Sequence, residues 1–243
     1  MPRLLAHTFT ALTLLLAASL ASAAPTPGRQ TEEAYEAGGK SMGYLLYIPE
    51  SADKQPDKKL PVILFLHGSG ERGSDLKVLT KHGPPKLIDQ QTKDFIVISP
   101  QCPKEQRWDP KQLKGLLDDV LSKLQYADPD RVYLTGLSMG GFGSWAMAAA
   151  YPNTFAAVVP ICGGGNPATA ETIKHLPIWV FHGDKDTAVK VESSKAMVDA
   201  LKAAGAKEVE FTVYPGVGHD SWTKSYADPK LYEWMLKHKR QKQ

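Results

Sequence analysis

The sequence predicts an α/β protein in which a mostly parallel sheet carries helices on both faces. Strand-like runs are apolar over most or all of their length: Leu60–Leu66 reads LPVILFL, and Phe95–Ser99 reads FIVIS, apolar up to its final serine. A strand with one wet face alternates apolar and polar residues, so an unbroken run marks a strand covered on both sides. Helical stripes lie between such runs. From Gln112 to Gln125, residues Leu113, Leu116, Leu117, Val120, Leu121 and Leu124 recur along one helix face. Finally, strands and helices alternate in a single series, the order that builds a parallel sheet from crossover units.

Composition agrees with a globular domain. The chain has 243 residues, 42% hydrophobic and 23% charged, which excludes a disordered tail, a collagen-like chain and a disulfide scaffold. The formal charge is +3 and the charges are dispersed. That excess is too small to argue for nucleic acid or an anionic membrane surface as a partner.

Residues 1–23 read as a secretory signal peptide. Arg3 supplies the positive start, Ala11–Ala18 the apolar stretch and Ala21-Ser22-Ala23 the cleavage signal. The stretch is well short of the ~20 apolar residues a membrane span needs. A secreted or periplasmic location follows as an expectation, with no membrane span. Residues 24–29 form a linker and 30–243 a single domain.

Within that domain Tyr44–Ile48 is a strand closed by Pro49, followed by Leu60–Leu66 and Phe95–Ser99. After the Gln112–Gln125 helix, Asp128-Pro129-Asp130 makes a turn into the strand Arg131–Thr135. A glycine-rich corner, Gly136–Gly141, leads to a helix over Phe142–Tyr151. Strands follow at Ala156–Ile161, Ile178–Phe181 and Val209–Tyr214, with helices at Val191–Ala204 and Pro229–Lys239. Cys102 and Cys162 each follow a strand. Strands several positions apart hold their ends too far apart for a bridge, so two free thiols are expected.

The chemistry-bearing pattern is Gly136-Leu137-Ser138-Met139-Gly140. It lies between a strand and a helix of small residues, the context in which a G-x-S-x-G pattern forms a tight corner with an exposed hydroxyl. Glycines at both arms let the turn close. Ser138 is therefore the candidate nucleophile. A serine needs a base and a group to orient that base, in the chain order serine, acid, histidine. The stretch His182-Gly183-Asp184-Lys185-Asp186 offers the acid. Asp186, farther past the strand end, is chosen over Asp184, which is suited to shaping the turn. His219, in a glycine-containing loop after the last strand, is the candidate base. His67 and His182 each end a strand and are expected to bond loop backbone. Oxyanion donors are expected from the N–H of Met139 and of Ser69, with Gly68 the alternative to Ser69. Trp108 is a candidate substrate-binding wall, with packing against the body as the competing role. Glu71-Arg72 is expected to hold the oxyanion loop by a local ion pair rather than to contact substrate, and Trp222 to pack beneath the His219 loop. No cluster has metal-ligand spacing and no phosphate-cradling loop is present, so no metal or cofactor is expected.

These stretches resemble the α/β-hydrolase superfamily, in particular its secreted esterases related to polyhydroxybutyrate depolymerases, feruloyl esterases and dienelactone hydrolases. The matching segments include Phe65–Gly73, Ser99–Pro103, Asp130–Gly141, Pro160–Gly165, His182–Asp186 and His219–Trp222. The resemblance implies an eight-stranded, mostly parallel sheet. It also implies a Ser138, Asp186, His219 triad and cofactor-free hydrolysis of small-molecule or polymer esters. No large lid domain is expected, because no long insertion separates the late strands and Gly163–His175 is the only modest candidate. Dienelactone hydrolases proper use a cysteine nucleophile, where this chain has Ser138. A peptidase of prolyl-oligopeptidase type and a polymer or cell-wall esterase are the alternatives.

Overall fold

The computed structural model describes residues 25–55 and 57–240. The expected signal peptide lies outside them. The strands are β1 (Gln30–Ala37), β2 (Lys40–Tyr47), β3 (Leu60–Leu66), β4 (Ile96–Pro100), β5 (Ala127–Leu137), β6 (Ala157–Ile161), β7 (Ile178–Gly183) and β8 (Val209–Tyr214). The helices are α1 (Ser51–Lys54), α2 (Pro110–Lys123), α3 (Met139–Ala150), α4 (Ala170–Ile173), α5 (Val191–Ala203), α6 (Ser221–Ala227) and α7 (Pro229–Leu236).

The eight strands form one sheet in the order β1-β2-β4-β3-β5-β6-β7-β8. The β1–β2 and β2–β4 pairs are antiparallel, and every other neighbouring pair is parallel. This is the α/β-hydrolase fold, as expected. β3 shows why its sequence is apolar throughout. Val62, Leu64 and Leu66 enter the core formed with Leu113 and Leu116 of α2, Trp145 and Met147 of α3 and Leu201 of α5. Ile63 and Phe65 enter the core on the other face, with Tyr226 of α6 and Leu231 and Met235 of α7. Each fully buried Leu, Ile or Phe contributes about 1.5–3 kcal/mol through loss of water contact.

Two departures have local causes. β1 was not expected, because QTEEAYEA is polar. It is an edge strand joined to β2 by Gly38-Gly39, both with positive φ (57° and 73°), a two-residue hairpin turn. β5 begins at Ala127 and runs through the expected Asp128-Pro129-Asp130 turn. The pairing with β3 shifts register between Leu60 and Val62, which absorbs those residues. Both cysteines are free and buried. β4 and β6, which lead into them, are separated by β3 and β5.

Candidate active site

β5 ends at Leu137 and α3 begins at Met139, so Ser138 alone makes the corner. Its backbone is at φ 52°, ψ −116°, a conformation that costs a side-chain-bearing residue on the order of 1–3 kcal/mol. The surroundings hold it there. The Ser138 amide donates to the Ile161 carbonyl at 2.9 Å. A β-carbon on Gly136 would strike the Gly140 carbonyl, and one on Gly140 would strike the Leu66 carbonyl. The first turn of α3 carries no acidic residue, so its positive dipole end faces Ser138 unopposed.

His219 is delivered by the loop between β8 and α6. Its Nε2 lies 2.9 Å from Ser138 Oγ, and its Nδ1 lies 2.7 Å from Asp186 Oδ2. A carboxylate only accepts, so Nδ1–H donates to Asp186 and Nε2 accepts the Ser138 hydroxyl. Asp186 Oδ1 accepts the amides of Ala188 and Val189, each at 2.9 Å. Burial alone would push the Asp186 carboxyl up. The hydrogen bonds from His219, Val189 and Ala188 and the His219 charge outweigh it and hold the carboxyl below its ordinary range. Asp184, the rejected acid, is exposed and accepts the Gly216 amide at 2.7 Å, tying the acid loop to the histidine loop. Trp222 lies edge-on to His219, with ring centroids 5.2 Å apart.

Ser138, Met139 and Ser69 line one cleft of about 300 Å³ with Arg72, Arg107, Phe142 and Val189. Ser69 opens a short 3-10 turn (Ser69–Glu71) and Met139 opens α3. First-turn amides have no acceptor within their own helix. Gly68 is buried behind Ser69, against Leu137 and Glu71. The turn is fixed by Arg72, whose Nε donates to the Ser69 carbonyl at 3.0 Å and whose Nη1 donates to the Gln106 carbonyl at 3.3 Å. The expected Glu71–Arg72 ion pair is therefore replaced. Glu71 instead faces His82, at 3.8 Å, and Arg72 is spent on carbonyls.

Trp108 does not line this cleft. It is 8% exposed, packs on Gly143 and donates its indole N–H to the His67 carbonyl at 3.2 Å. The expected substrate wall is corrected to a brace behind the strand end. His67 is held from both sides: Nδ1–H donates to the Gly68 carbonyl and Nε2 accepts the Cys102 amide at 2.9 Å. Burial pushes its imidazole down to about 4. The residues that sequence reasoning missed are Phe142, Val189 and Arg107, together with the place of Arg72 in the cleft lining. Phe142 alone left a signal, a large apolar side chain one helical turn after Ser138.

Among the described residues, the groups that could jointly reach a metal ion are Cys162, Asp186 and His219, with ligand atoms within 4.8 Å of one another. Asp186 and His219 already bond each other. Burial pushes the Cys162 thiol up to about 12, and its sulfur accepts the Ser138 amide at 3.3 Å. A protonated, engaged thiol is a poor metal ligand.

Fold and site define an α/β-hydrolase with a serine, histidine and aspartate hydrogen-bonded in series beside an open cleft. The chain belongs to the dienelactone hydrolase family, whose model matches residues 99–232. It is 34% identical over 197 residues to a putative carboxymethylenebutenolidase of Escherichia coli, covering 68% of this chain and 69% of that protein. It is 32% identical over 116 residues to the carboxylesterase SOBER1 of Arabidopsis thaliana, covering 45% of this chain and about half (49%) of that one. A solved thermostable esterase superposes with a TM-score of 0.81 at 32% identity, over 87% of this chain and 63% of that one.

Proposed function

We propose that the protein is a serine carboxylesterase that hydrolyses carboxylic esters through an acyl-enzyme on Ser138. The observation that carries this reading is the continuous chain from Asp186 to His219 (2.7 Å) to Ser138 (2.9 Å), ending in the cleft. His219 takes the proton of Ser138 as its oxygen attacks the ester carbonyl. The amides of Met139 and Ser69 hold the oxyanion, each such donor being worth about 3 kcal/mol of transition-state stabilisation. His219 passes its proton to the leaving alcohol, then activates the water that releases the acid. Asp186 holds the imidazole in the productive tautomer and offsets its charge when protonated. Esterases among the relatives support the same chemistry.

The short segment between β6 and β7, where a lid could be inserted, folds as a 3-10 turn (Pro167–Thr169) and α4. At its start Gly164 lies beside Phe142 of the cleft wall and Gly165 packs on Trp145 and Met197, and among the described residues none of the cleft lining comes from the segment itself. An uncovered cleft suits small esters or esters displayed on a polymer. The leader-like residues 1–23 support action outside the cytoplasm. Hydrolysis of p-nitrophenyl acetate and butyrate by the native chain and by Ser138→Ala tests the reading, alongside labelling by a fluorophosphonate. Turnover that survives in Ser138→Ala ends it. Matched ester and amide substrates at equal enzyme concentration separate esterase from peptidase action.

A further inference from the structure

His182 is the penultimate residue of β7, fully buried and four residues before Asp186. Its Nε2 lies 2.7 Å from the Val189 carbonyl and 3.1 Å from Asp186 Oδ2. Both partners can only accept, so the ring carries a proton on Nε2 and shares it between them. Its Nδ1 lies 2.8 Å from Ser194 Oγ of α5, and that oxygen lies 2.8 Å from the Gly163 carbonyl. Gly163 in turn is pressed against Gly141 and Phe142 at the start of α3, one turn from Ser138. One imidazole thus grips both ends of the 186–189 turn, and its Nδ1 faces Ser194, whose single hydroxyl proton is shared between the ring and the Gly163 carbonyl beside the nucleophile's own helix.

We propose that His182 is a positioning residue for the esterase reaction: it fixes the Asp186 carboxylate so that Oδ2 stays aimed at His219. This rests on the assignment of Asp186, His219 and Ser138 made above. The carboxylate receives four N–H groups, two histidine rings on Oδ2 and two amides on Oδ1. That matches the roughly four lone-pair sites a carboxylate offers. No site is left for water, and rotation about the Asp186 side chain would break several bonds at once. Without His182, both the carboxylate and the Val189 carbonyl lose their anchor to the sheet. The His219–Asp186 bond, needed when His219 takes up the Ser138 proton, then loosens.

The test compares His182→Phe, His182→Gln and the native chain, with active enzyme counted by fluorophosphonate titration. His182→Phe keeps a planar ring and loses the donor. Its kcat on p-nitrophenyl acetate is expected to fall on the order of 10–100-fold, the scale of a 1 Å misplacement. The low-field proton resonance of the His219 Nδ1–H bond should shift or broaden with it. His182→Gln, which returns an N–H near the Nε2 position, should recover a large part of both. A kcat for His182→Phe within about twofold of native, or an unmoved His219 resonance, overturns the proposal. If His182→Phe does not fold, Ser194→Ala removes only the far tether. It is expected to lower kcat several-fold, and a native kcat there overturns the proposal too. The resonance is read without substrate, so its outcome is independent of whether the native chain hydrolyses esters.

Discussion

Trp108 donates its indole N–H to the carbonyl of His67 and stacks edge-on against the same residue, with ring centroids 4.7 Å apart. The indole thereby closes the back of the strand end from which the Ser69 turn departs. Trp108→Phe keeps most of the ring volume and leaves the His67 carbonyl buried without that donor. Stability should fall by about 1–3 kcal/mol, read from urea unfolding. The ratio of acetate to butyrate hydrolysis should stay at its native value. A changed ratio with unchanged stability would return Trp108 to the cleft wall.

The corner at Ser138 gives a prediction in which function and stability separate. Ser138→Ala and Ser138→Gly should both lose turnover by on the order of 10⁴–10⁶. Glycine adopts positive φ freely, whereas alanine at φ 52° keeps the strain. The glycine variant should therefore exceed the alanine variant in unfolding free energy by about 1 kcal/mol. Equal stabilities would show that the corner is unstrained.

Gly140 faces the Leu66 carbonyl without room for a methyl group. The obstacle is backbone on both sides, so neither can rotate away. Gly140→Ala should cost at least about 3 kcal/mol and yield little soluble protein. Gly205, with open space around it, is the control position for comparing expression, although its own φ of 82° makes alanine mildly unfavourable there too.

His67 makes stability depend on pH in a stated direction. Its imidazole is held at about 4 in the fold, against an ordinary value of 6.5. Between those values the unfolded chain binds the proton and the folded chain does not. The stabilisation is thus complete above pH 6.5 and is lost as pH falls toward 4, by about 3 kcal/mol across the window. Urea midpoints measured across this range should be steeper in pH for the native chain than for His67→Gln. Parallel curves would refute the assignment.

The parallel core of the sheet was legible because burial on two faces leaves a simple mark: β3 is apolar at every position and β4 from Ile96 to Ile98. The Ser138 corner was legible because its glycines are demanded by local backbone contact. β1 was not legible from hydropathy, since an edge strand can be polar along its length. Its Gly38-Gly39 turn was the readable sign. The Asp128-Pro129-Asp130 segment misled because turn-forming residues also fit the irregular start of a strand whose register shifts. Trp108 was ambiguous because sequence places a residue in a loop without saying which side of the loop it faces. Glu71 and Arg72 were misread as partners because adjacency in sequence does not set side-chain direction. Long-range acceptors, the Gln106 carbonyl among them, decided it.

The bond from Asp184 to the Gly216 amide gives the site a mechanical property. The stretch that carries the carboxylate and the stretch that carries the imidazole are fastened together. They therefore shift as a unit, and a length change in either alone would pull the pair out of alignment. Cleft residues outside these two stretches, Phe142 and Arg107 among them, can change without disturbing that fastening.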